Sequence, residues 1–295
     1  MRILIYGAGV IGSLYAVLFS KAGYEVAAYA RGRRLQELKT KGLLYRDGDN
    51  IQKADVTVLA QLSDEDCYAF IFLTVRAEQA ESALYELQRN ISPTIVTMIN
   101  TIRDYAEWEA ILGVGRLFPA FPGVGGSIVD GVLDAALTPS LIQPTTFGEI
   151  GGQQSERTAA LSQIFKRSGI PYQIVPDMHH WQISHLGLVV PLADAYYRSD
   201  DPVNVYRDKD IMAQAARELK SNFQKLSKQS ILSPPKFHLL RICPQFLLKI
   251  GLTKVFRSHF GDVFMYRHAM KSPEEMRQLH RDFYSFMRGN DDENL

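Results

Sequence analysis

The 295-residue chain has the composition of a globular protein, with 46% hydrophobic and 22% charged residues. This length exceeds the usual size of one domain and predicts two, and the composition excludes global disorder. A net charge of +1 gives no strong field that would attract nucleic acid, and two cysteines, Cys67 and Cys243, are too few for a disulfide framework. No apolar run of about 18 residues, signal-peptide pattern or metal-ligand spacing occurs, so we expect a cytoplasmic protein without a metal site.

The N-terminal residues predict a strand, a glycine turn, a helix and a second strand. ILIY at 3–6 is typical of a buried parallel strand, and YEVAAYA at 24–30 of the next one. The turn has the spacing G-x-G-x-x-G, in which successive glycines make the turn, let the backbone approach a pyrophosphate, and let helix and strand pack closely. A glycine-rich turn without a ligand is the alternative. The predicted dinucleotide-binding residues are Gly7, Ala8, Gly9, Val10, Ile11 and Gly12.

The end of the second strand indicates which dinucleotide binds. NAD-specific sites usually carry an acidic residue there, which binds the ribose 2′-hydroxyl. This chain has Arg31 instead, followed by Arg33 and Arg34. A guanidinium suits the 2′-phosphate of NADP(H) through charge-assisted hydrogen bonds. NADP(H) is therefore the predicted cofactor, with a solvated basic helix start as the alternative for these arginines.

Two later strands place polar residues at the same edge of the predicted sheet. FIFLTV at 70–75 predicts a central strand, after which Arg76 to Gln79 open a helix. TIVTMIN at 94–100 predicts the next strand, with Asn100 at its carboxyl end. Because ligands of doubly wound sheets bind at the carboxyl ends of strands, Arg76 and Asn100 are candidates for contacting cofactor or substrate. The alternatives are a surface arginine and a turn asparagine.

The remaining elements complete a two-domain prediction. PDM after the last predicted strand indicates a boundary, with a Rossmann-type doubly wound parallel α/β domain at 1–176 and a second domain at 177–295. The elements predicted to complete the sheet are glycine-rich strands at 116–137 and 143–153, a helix at 155–168 and a strand at 172–175.

These features resemble the ketopantoate reductase (2-dehydropantoate 2-reductase) family. The residues that carry the resemblance are ILIYGAGVIGSLYA, Arg31, LTVRAEQ, MIN, FPGVGG, QPTTFGEIGG and HAMKSPEEMRQLHRDF. The resemblance implies a Rossmann domain that binds NADP(H), with Thr74, Arg76 and Gln79 where the family contacts phosphate. It implies that 177–295 is an all-α substrate and dimerisation domain. It also implies reduction of a small 2-oxo acid, as in pantothenate biosynthesis. Asn100 would contact cofactor and orient substrate.

The segment MHHWQISHLGLVVPL, 178–192, departs from the family at its catalytic position. In the family, a lysine two residues after a tryptophan protonates the developing alkoxide, and an asparagine follows four residues later. Trp181 stands where that tryptophan is expected, but Ile183 replaces the lysine and Gly187 the asparagine. No lysine occurs between residues 166 and 209, so a small shift of the alignment does not supply one.

Other residues of this helix are candidates for the missing acid. His185 lies one turn after Trp181 on the same helix face, and a histidine titrates near neutral pH. His185 is therefore the candidate proton donor, with His179, His180 and Ser184 close by and ordered water as a substitute. The alternative is that His185 is a hydrogen-bonded structural residue.

A late helix carries the third catalytic candidate. KSPEEMRQLHRDF at 271–283 predicts a helix with Ser272 as its cap and Pro273 at its first position. Glu275 is a candidate substrate contact, as is His268 just upstream. The helix macrodipole alone also explains an acidic residue at a helix start.

The segment 219–260 contains eight Lys and Arg residues and no Asp or Glu. We expect a helix pair with a buried apolar face and a solvated basic face, rather than contact with a membrane surface or an acidic partner.

Three hypotheses for function follow. The first is an NADPH-dependent oxidoreductase acting on a small 2-oxo acid or related carbonyl, with no nucleic-acid partner and with a homodimer left open. The second is an NADP(H)-binding pseudoenzyme or regulatory protein, because Ile183 replaces the lysine. The third and weakest is an interaction module built on 219–260.

Overall fold

A computed structural model describes residues 1–234, 236–271 and 273–292. The chain divides into two compact units, 1–178 and 179–295. The first is a Rossmann-type α/β unit and the second is helical, which confirms the fold class predicted from the sequence. The sequence predicts the boundary at 176.

Unit 1 contains twelve strands and five α-helices among its described residues. The strands are β1 Arg2–Tyr6, β2 Glu25–Tyr29, β3 Leu43–Asp47, β4 Asn50–Ala54, β5 Thr57–Leu59, β6 Phe70–Leu73, β7 Ile95–Thr97, β8 Leu117–Phe121, β9 Val124–Val129, β10 Val132–Leu137, β11 Thr145–Phe147 and β12 Tyr172–Ile174. The helices are α1 Val10–Lys21, α2 Gly32–Lys41, α3 Ala80–Leu87, α4 Tyr105–Leu112 and α5 Glu156–Arg167.

The main sheet has eight strands in the order β12-β11-β8-β7-β6-β1-β2-β5. Neighbouring strands are parallel except β8 with β11. The chain proceeds from β1 to β2 on one side and later returns to β6 on the other, so the strand order reverses at β1. Ligands of doubly wound sheets bind in the crevice at such a switch point, beyond the carboxyl ends of the strands.

A second sheet, with the order β4-β3-β10-β9, corrects the sequence interpretation. The sequence predicts that 116–137 completes the main sheet, but only β8 joins it. Strand β9 pairs with β10, and β10 pairs with β3. Asp130 and Gly131, both at positive φ, form the tight connection between β9 and β10. Apolar patterning identifies a strand without identifying the sheet that it joins, so the sequence prediction was wrong here.

Helix α1 is anchored on the main sheet by aromatic side chains. Tyr15 and Phe19 are buried and lie 6.2 Å and 4.9 Å, between ring centroids, from Phe72 of β6. Phe165 of α5 completes this cluster at 6.2 Å from Tyr15. Buried aromatic pairs of this kind add specific geometry to the hydrophobic effect. The anchoring fixes the N-terminus of α1 beside the end of β1.

Unit 2 consists of helices around a core of large apolar side chains. Among the described residues α6 is the longest helix, and Gly187 near its middle allows close packing: a Cβ there would lie 3.0 Å from Leu226 and 3.5 Å from Phe283. The helices are α6 Met178–Arg198, α7 Lys209–Lys228, α8 Lys236–Ile242, α9 Gln245–Arg257, α10 Arg267–Lys271 and α11 Pro273–Asp292.

The basic segment 219–260 contains the end of α7 and the whole of α8 and α9. Helices α8 and α9 bury one apolar face through Phe237, Leu248, Leu252 and Phe256. They also leave a second group of large apolar side chains exposed, which the sequence interpretation did not anticipate. The exposed group is Leu239, Ile242, Phe246, Leu247 and Ile250. Within the described ranges, no helix has the length and hydropathy needed to cross a membrane.

Candidate functional site

The glycine turn lies at the switch point of the main sheet. Strand β1 ends at Tyr6, and Gly7 then adopts a φ of +108°, a conformation that favours glycine. Its amide donates to the carbonyl of Tyr29, which ties the turn to β2. Gly9 is the extended N-cap residue of α1, and no side chain of the described residues caps this helix. The amides at the start of α1 therefore favour an anion.

The second and third glycines of the motif have different surroundings. A Cβ on Gly9 would meet nothing within 4 Å, so the backbone there borders open space. A Cβ on Gly12 would lie 2.1 Å from the Gly7 carbonyl oxygen and 2.7 Å from Ile5 Cγ2. Gly12 thus permits contact between helix and strand, while Gly9 leaves room for a group outside the protein. This arrangement fits a pyrophosphate held by the loop.

Side chains from other elements fix the shape of the loop. Thr74, directly after β6, donates its hydroxyl hydrogen to the Gly7 carbonyl at 2.6 Å. Arg34 donates from Nε to the Ala8 carbonyl at 2.9 Å, and the Ser13 hydroxyl donates to the same carbonyl at 3.1 Å. Thr74 therefore supports the loop in the structure, whereas the resemblance implies contact with the cofactor. The sequence did not identify Arg34 and Ser13 as supports, because both bonds depend on the folded loop.

The basic residues after β2 have acidic partners. Arg31 forms an ion pair with Glu86 of α3, with 3.1 Å between Nη1 and Oε1, and donates from Nη2 to the Tyr6 hydroxyl at 2.8 Å. Arg33 is almost fully exposed and lies 3.5 Å from Glu37, which also pairs with Arg34. Glu37 and Glu86 were not identified from the sequence. Their charges reduce the positive potential that the arginine run alone suggests.

The other unit 1 candidates follow β6 and β7. Arg76 is exposed, and its backbone amide donates to the Gln79 side chain at 3.4 Å. Asn100 lies three residues beyond β7, and its buried Oδ1 has no hydrogen-bond partner among the described residues. Buried polar atoms are rarely left without a partner. The open Asn100 oxygen thus fits a ligand that donates a hydrogen bond.

The catalytic candidates of α6 lie in the interior of unit 2. His185 is buried, and its ring stacks on Trp181 with 5.0 Å between centroids and 9° between planes. Ile183 is 1% exposed. The Ser184 hydroxyl donates to the Ile231 carbonyl and accepts from the Ser233 amide, so Ser184 links α6 to the start of the α8 region.

The remaining candidates of unit 2 are less enclosed. His179 and His180 are half-buried in the first turn of α6. Glu275 is half-buried in the first turn of α11, which begins at Pro273. The predicted cap Ser272 and the side chain of His268 lie outside the described residues. His185 and Glu275 are thus in unit 2, whereas the glycine loop, Thr74 and Asn100 are in unit 1.

Comparison with known proteins gives the family. The model of the ketopantoate reductase PanE/ApbA family matches residues 3–131, which include the glycine loop, Arg31, Thr74 and Asn100. Over this segment the chain is similar to the ketopantoate reductase family. The resemblance predicted from the sequence is thereby confirmed.

A curated relative and two solved structures define how far the similarity extends. The 2-dehydropantoate 2-reductase of Archaeoglobus fulgidus is 33% identical over 101 residues, covering 34% of this chain and 33% of the relative. The chain thus matches about a third of that relative's length.

A putative ketopantoate reductase from Ralstonia solanacearum has a TM-score of 0.67 at 14% identity, with 98% of each chain covered. D-Mandelate dehydrogenase in complex with NADH has a TM-score of 0.64 at 14% identity, covering 98% of this chain and 97% of the other. These structures show that the fold is shared along nearly the whole chain.

Proposed function

We propose that the chain is an NADP(H)-dependent oxidoreductase of the ketopantoate reductase type, acting on a small 2-oxo acid or a related carbonyl. The observation that carries this proposal is the glycine loop at the switch point, with open space at Gly9 and close packing at Gly12. The family match over the same residues supports it, as does a neighbour of the same fold that was solved with NADH. The A. fulgidus relative is a 2-dehydropantoate 2-reductase, which supports a 2-oxo acid as the substrate class.

Residues of unit 1 would hold the cofactor by distinct physical means. The first amides of α1 would bind the pyrophosphate, because they carry the positive end of the helix dipole. Arg31 and Arg76 would contact phosphate groups through charge-assisted hydrogen bonds. The Asn100 oxygen would accept a hydrogen bond from the cofactor or position the substrate. When bound, the nicotinamide supplies hydride to the carbonyl carbon.

The proton for the product oxygen needs a separate donor. His185 is the candidate on α6, because imidazole can give up a proton near neutral pH and general acid catalysis typically contributes about 10²–10⁴-fold. Ordered water is the other source. If His185 is the donor, His185→Ala should lower kcat by that range while NADPH affinity stays unchanged. Unchanged turnover in His185→Ala would remove it from this role.

Packing around α6 favours a second candidate function, an NADP(H)-binding protein without ketopantoate reductase activity. Ile183, at the place of the family's lysine, is almost fully buried, and Gly187 one turn later packs against Leu226 and Phe283. A lysine and an asparagine at these positions would each need space that the packing fills. The helix face that carries polar groups in the family is therefore apolar here.

Two measurements on the full-length chain separate these functions. NADPH binding is measured by fluorescence or calorimetry, and NADPH oxidation is then followed with a panel of 2-oxo acids that includes ketopantoate. Binding with turnover of a panel member supports the oxidoreductase. Binding without any turnover supports the second function, and absence of NADPH and NADH binding would contradict both.

A further inference from the structure

A three-residue cluster lies beside the glycine loop, on the α3 face of the main sheet. Tyr6 is fully buried, and its hydroxyl donates to Glu86 Oε2 and accepts from Arg31 Nη2. Arg31 Nη1 pairs with Glu86 Oε1, and the guanidinium lies 5.8 Å from the centroid of the Tyr6 ring and 5.6 Å from that of Tyr29. Two hydrogen-bonding contacts and two aromatic rings thus fix one position of the guanidinium.

The protonation of Tyr6 sets the direction of its hydrogen bond. Burial raises the pKa of its hydroxyl far above the usual value, and the hydrogen bond to Glu86 raises that pKa further. Tyr6 therefore stays protonated and donates to the carboxylate, while its oxygen accepts from Arg31. The three side chains form a closed cluster with one positive and one negative charge.

The cluster lies at the end of β1 and β2, the region in which dinucleotide-binding folds discriminate between NADPH and NADH. Tyr6 is the last residue of β1, directly before Gly7, and Arg31 is the second residue after β2. In dinucleotide-binding sheets, the end of the second strand faces the adenosine ribose, whose 2′ substituent distinguishes NADPH from NADH. Glu86 thus places a carboxylate on the guanidinium that would receive the 2′-phosphate.

We propose that Glu86 is a specificity residue for the cofactor, which lowers the preference for NADPH by competing with the 2′-phosphate for Arg31. This inference rests on the proposed cofactor site. A 2′-phosphate near Arg31 meets the negative charge of Glu86, or displaces Glu86 from its partner, and either event weakens NADPH binding. NADH has no phosphate at this position and does not meet this competition.

The substitution Glu86→Gln separates charge from shape. Glutamine has the same size and retains an oxygen that accepts from Tyr6 or Arg31, but it carries no negative charge. Glu81→Gln is the matched control, since Glu81 is on the same helix, is similarly exposed, and pairs with Arg103 at 2.7 Å. Neither carboxylate touches the glycine loop in the described contacts.

The experiment measures Kd for NADPH and NADH with full-length wild type and both variants, and checks folding by thermal unfolding. Glu86→Gln should increase the ratio of NADPH to NADH affinity by about two- to fivefold, the upper part of the range for a partly exposed charge pair. Glu81→Gln should leave the ratio unchanged. Adenosine 2′,5′-bisphosphate and ADP, as competitors, test whether the effect arises at the adenosine end.

The outcomes are distinguishable from failure of the proposed function. An unchanged or lowered ratio in Glu86→Gln, with dinucleotide binding intact, would overturn the role of Glu86 and leave the cofactor proposal standing. A wild-type chain that binds neither dinucleotide would overturn both. A ratio that rises equally in Glu81→Gln would show a general charge effect of α3 and would also overturn the specific role.

Discussion

Three glycines with one sequence spacing have three physical roles in this chain. Gly7 provides a positive φ, Gly9 leaves space, and Gly12 removes a clash. The roles predict that substitutions at Gly9 and Gly12 separate cofactor binding from stability.

Gly12→Ala should destabilise the protein, because its Cβ would lie 2.1 Å from the Gly7 carbonyl oxygen and 2.4 Å from Thr74 Oγ1. Overpacking of this kind costs about 1–3 kcal/mol.

Gly9→Ala should keep the wild-type Tm, since Gly9 is extended and open, but weaken NADPH binding by more than about tenfold through steric exclusion of the pyrophosphate. Thermal unfolding and NADPH titration of both variants check this. Wild-type NADPH affinity in Gly9→Ala would contradict the placement of the pyrophosphate.

Thr74 permits a test of loop support at the residue scale. Thr74→Val removes the hydroxyl that donates to the Gly7 carbonyl and should cost about 1–2 kcal/mol of unfolding free energy, with weaker NADPH binding. Thr40→Val is the control, because Thr40 bonds only the carbonyl one turn earlier on the exposed side of α2. Denaturant unfolding of the two variants measures the difference. Equal effects would contradict a special role of the Thr74 bond.

Single residues also show where prediction from sequence ends. The spacing of Gly7, Gly9 and Gly12 is local, so the sequence was sufficient to predict their turn and its position after β1. The ion-pair partner of Arg31 is Glu86, which lies 55 residues later in the sequence. No local pattern identifies that pair, because it arises only when α3 packs beside β1. The sequence thus identified the basic residue and missed the carboxylate that holds it.

At the scale of elements, helix α6 shows how packing buries the position where the family carries its catalytic lysine. Ile183 and Gly187 lie one turn apart, and Gly187 contacts residues of α7 and α11. The sequence revealed the loss of the lysine. Only the structure shows that Ile183 is buried and that neighbouring helices occupy the space beside Gly187.

Ile183→Lys should therefore destabilise the chain by several kcal/mol instead of restoring the family's chemistry, since an unpaired ammonium would be buried. Burial lowers the pKa of such a lysine, and the unfolded chain then binds more protons, so the deficit in stability should shrink as pH rises from about 7 to about 10. Leu188→Lys, on the partly exposed side of α6, is the matched control. Urea unfolding at several pH values measures this. A stable Ile183→Lys protein that reduces ketopantoate would contradict the burial argument.

Arg116 connects elements of unit 1 that the sequence treated separately. Its guanidinium donates to the carbonyls of Leu87 and Leu112, the last residues of α3 and α4, and to that of Ser92 before β7. Carbonyls at helix ends lack partners within their helix, so one side chain satisfies groups from three segments.

Arg116→Met should cost about 2–4 kcal/mol, because several carbonyls lose their donor at once. Arg89→Met is the control, as Arg89 is exposed and lies in the same region after α3. Chemical denaturation of both variants tests the difference. A loss no larger than that of Arg89→Met would show that water replaces the guanidinium at these carbonyls.

At the scale of the whole molecule, the alternation of predicted strands and helices indicated a Rossmann-type unit, and the family resemblance implied the helical unit that follows it. The sequence did not predict the second sheet, since the pairing of β3 with β10 joins segments far apart in the chain. The same limit applies to α8 and α9, where spacing indicated helices but not that Phe246 and Ile250 would be exposed. Nonlocal pairing and packing decide both features.

Hydrogen exchange of the backbone amides can test which residues of the chain the proposed cofactor contacts. NADPH at about 100 times its Kd adds about 2.7 kcal/mol to the stability of the state that binds it. Amides that contact the cofactor should exchange more slowly, so protection should increase at residues 7–13 and 98–101. Exchange within α7, at 209–228, serves as the internal reference, because no cofactor-binding candidate lies on that helix. Protection that increases in α7 while residues 7–13 stay unchanged would place the dinucleotide elsewhere and contradict the glycine-loop site.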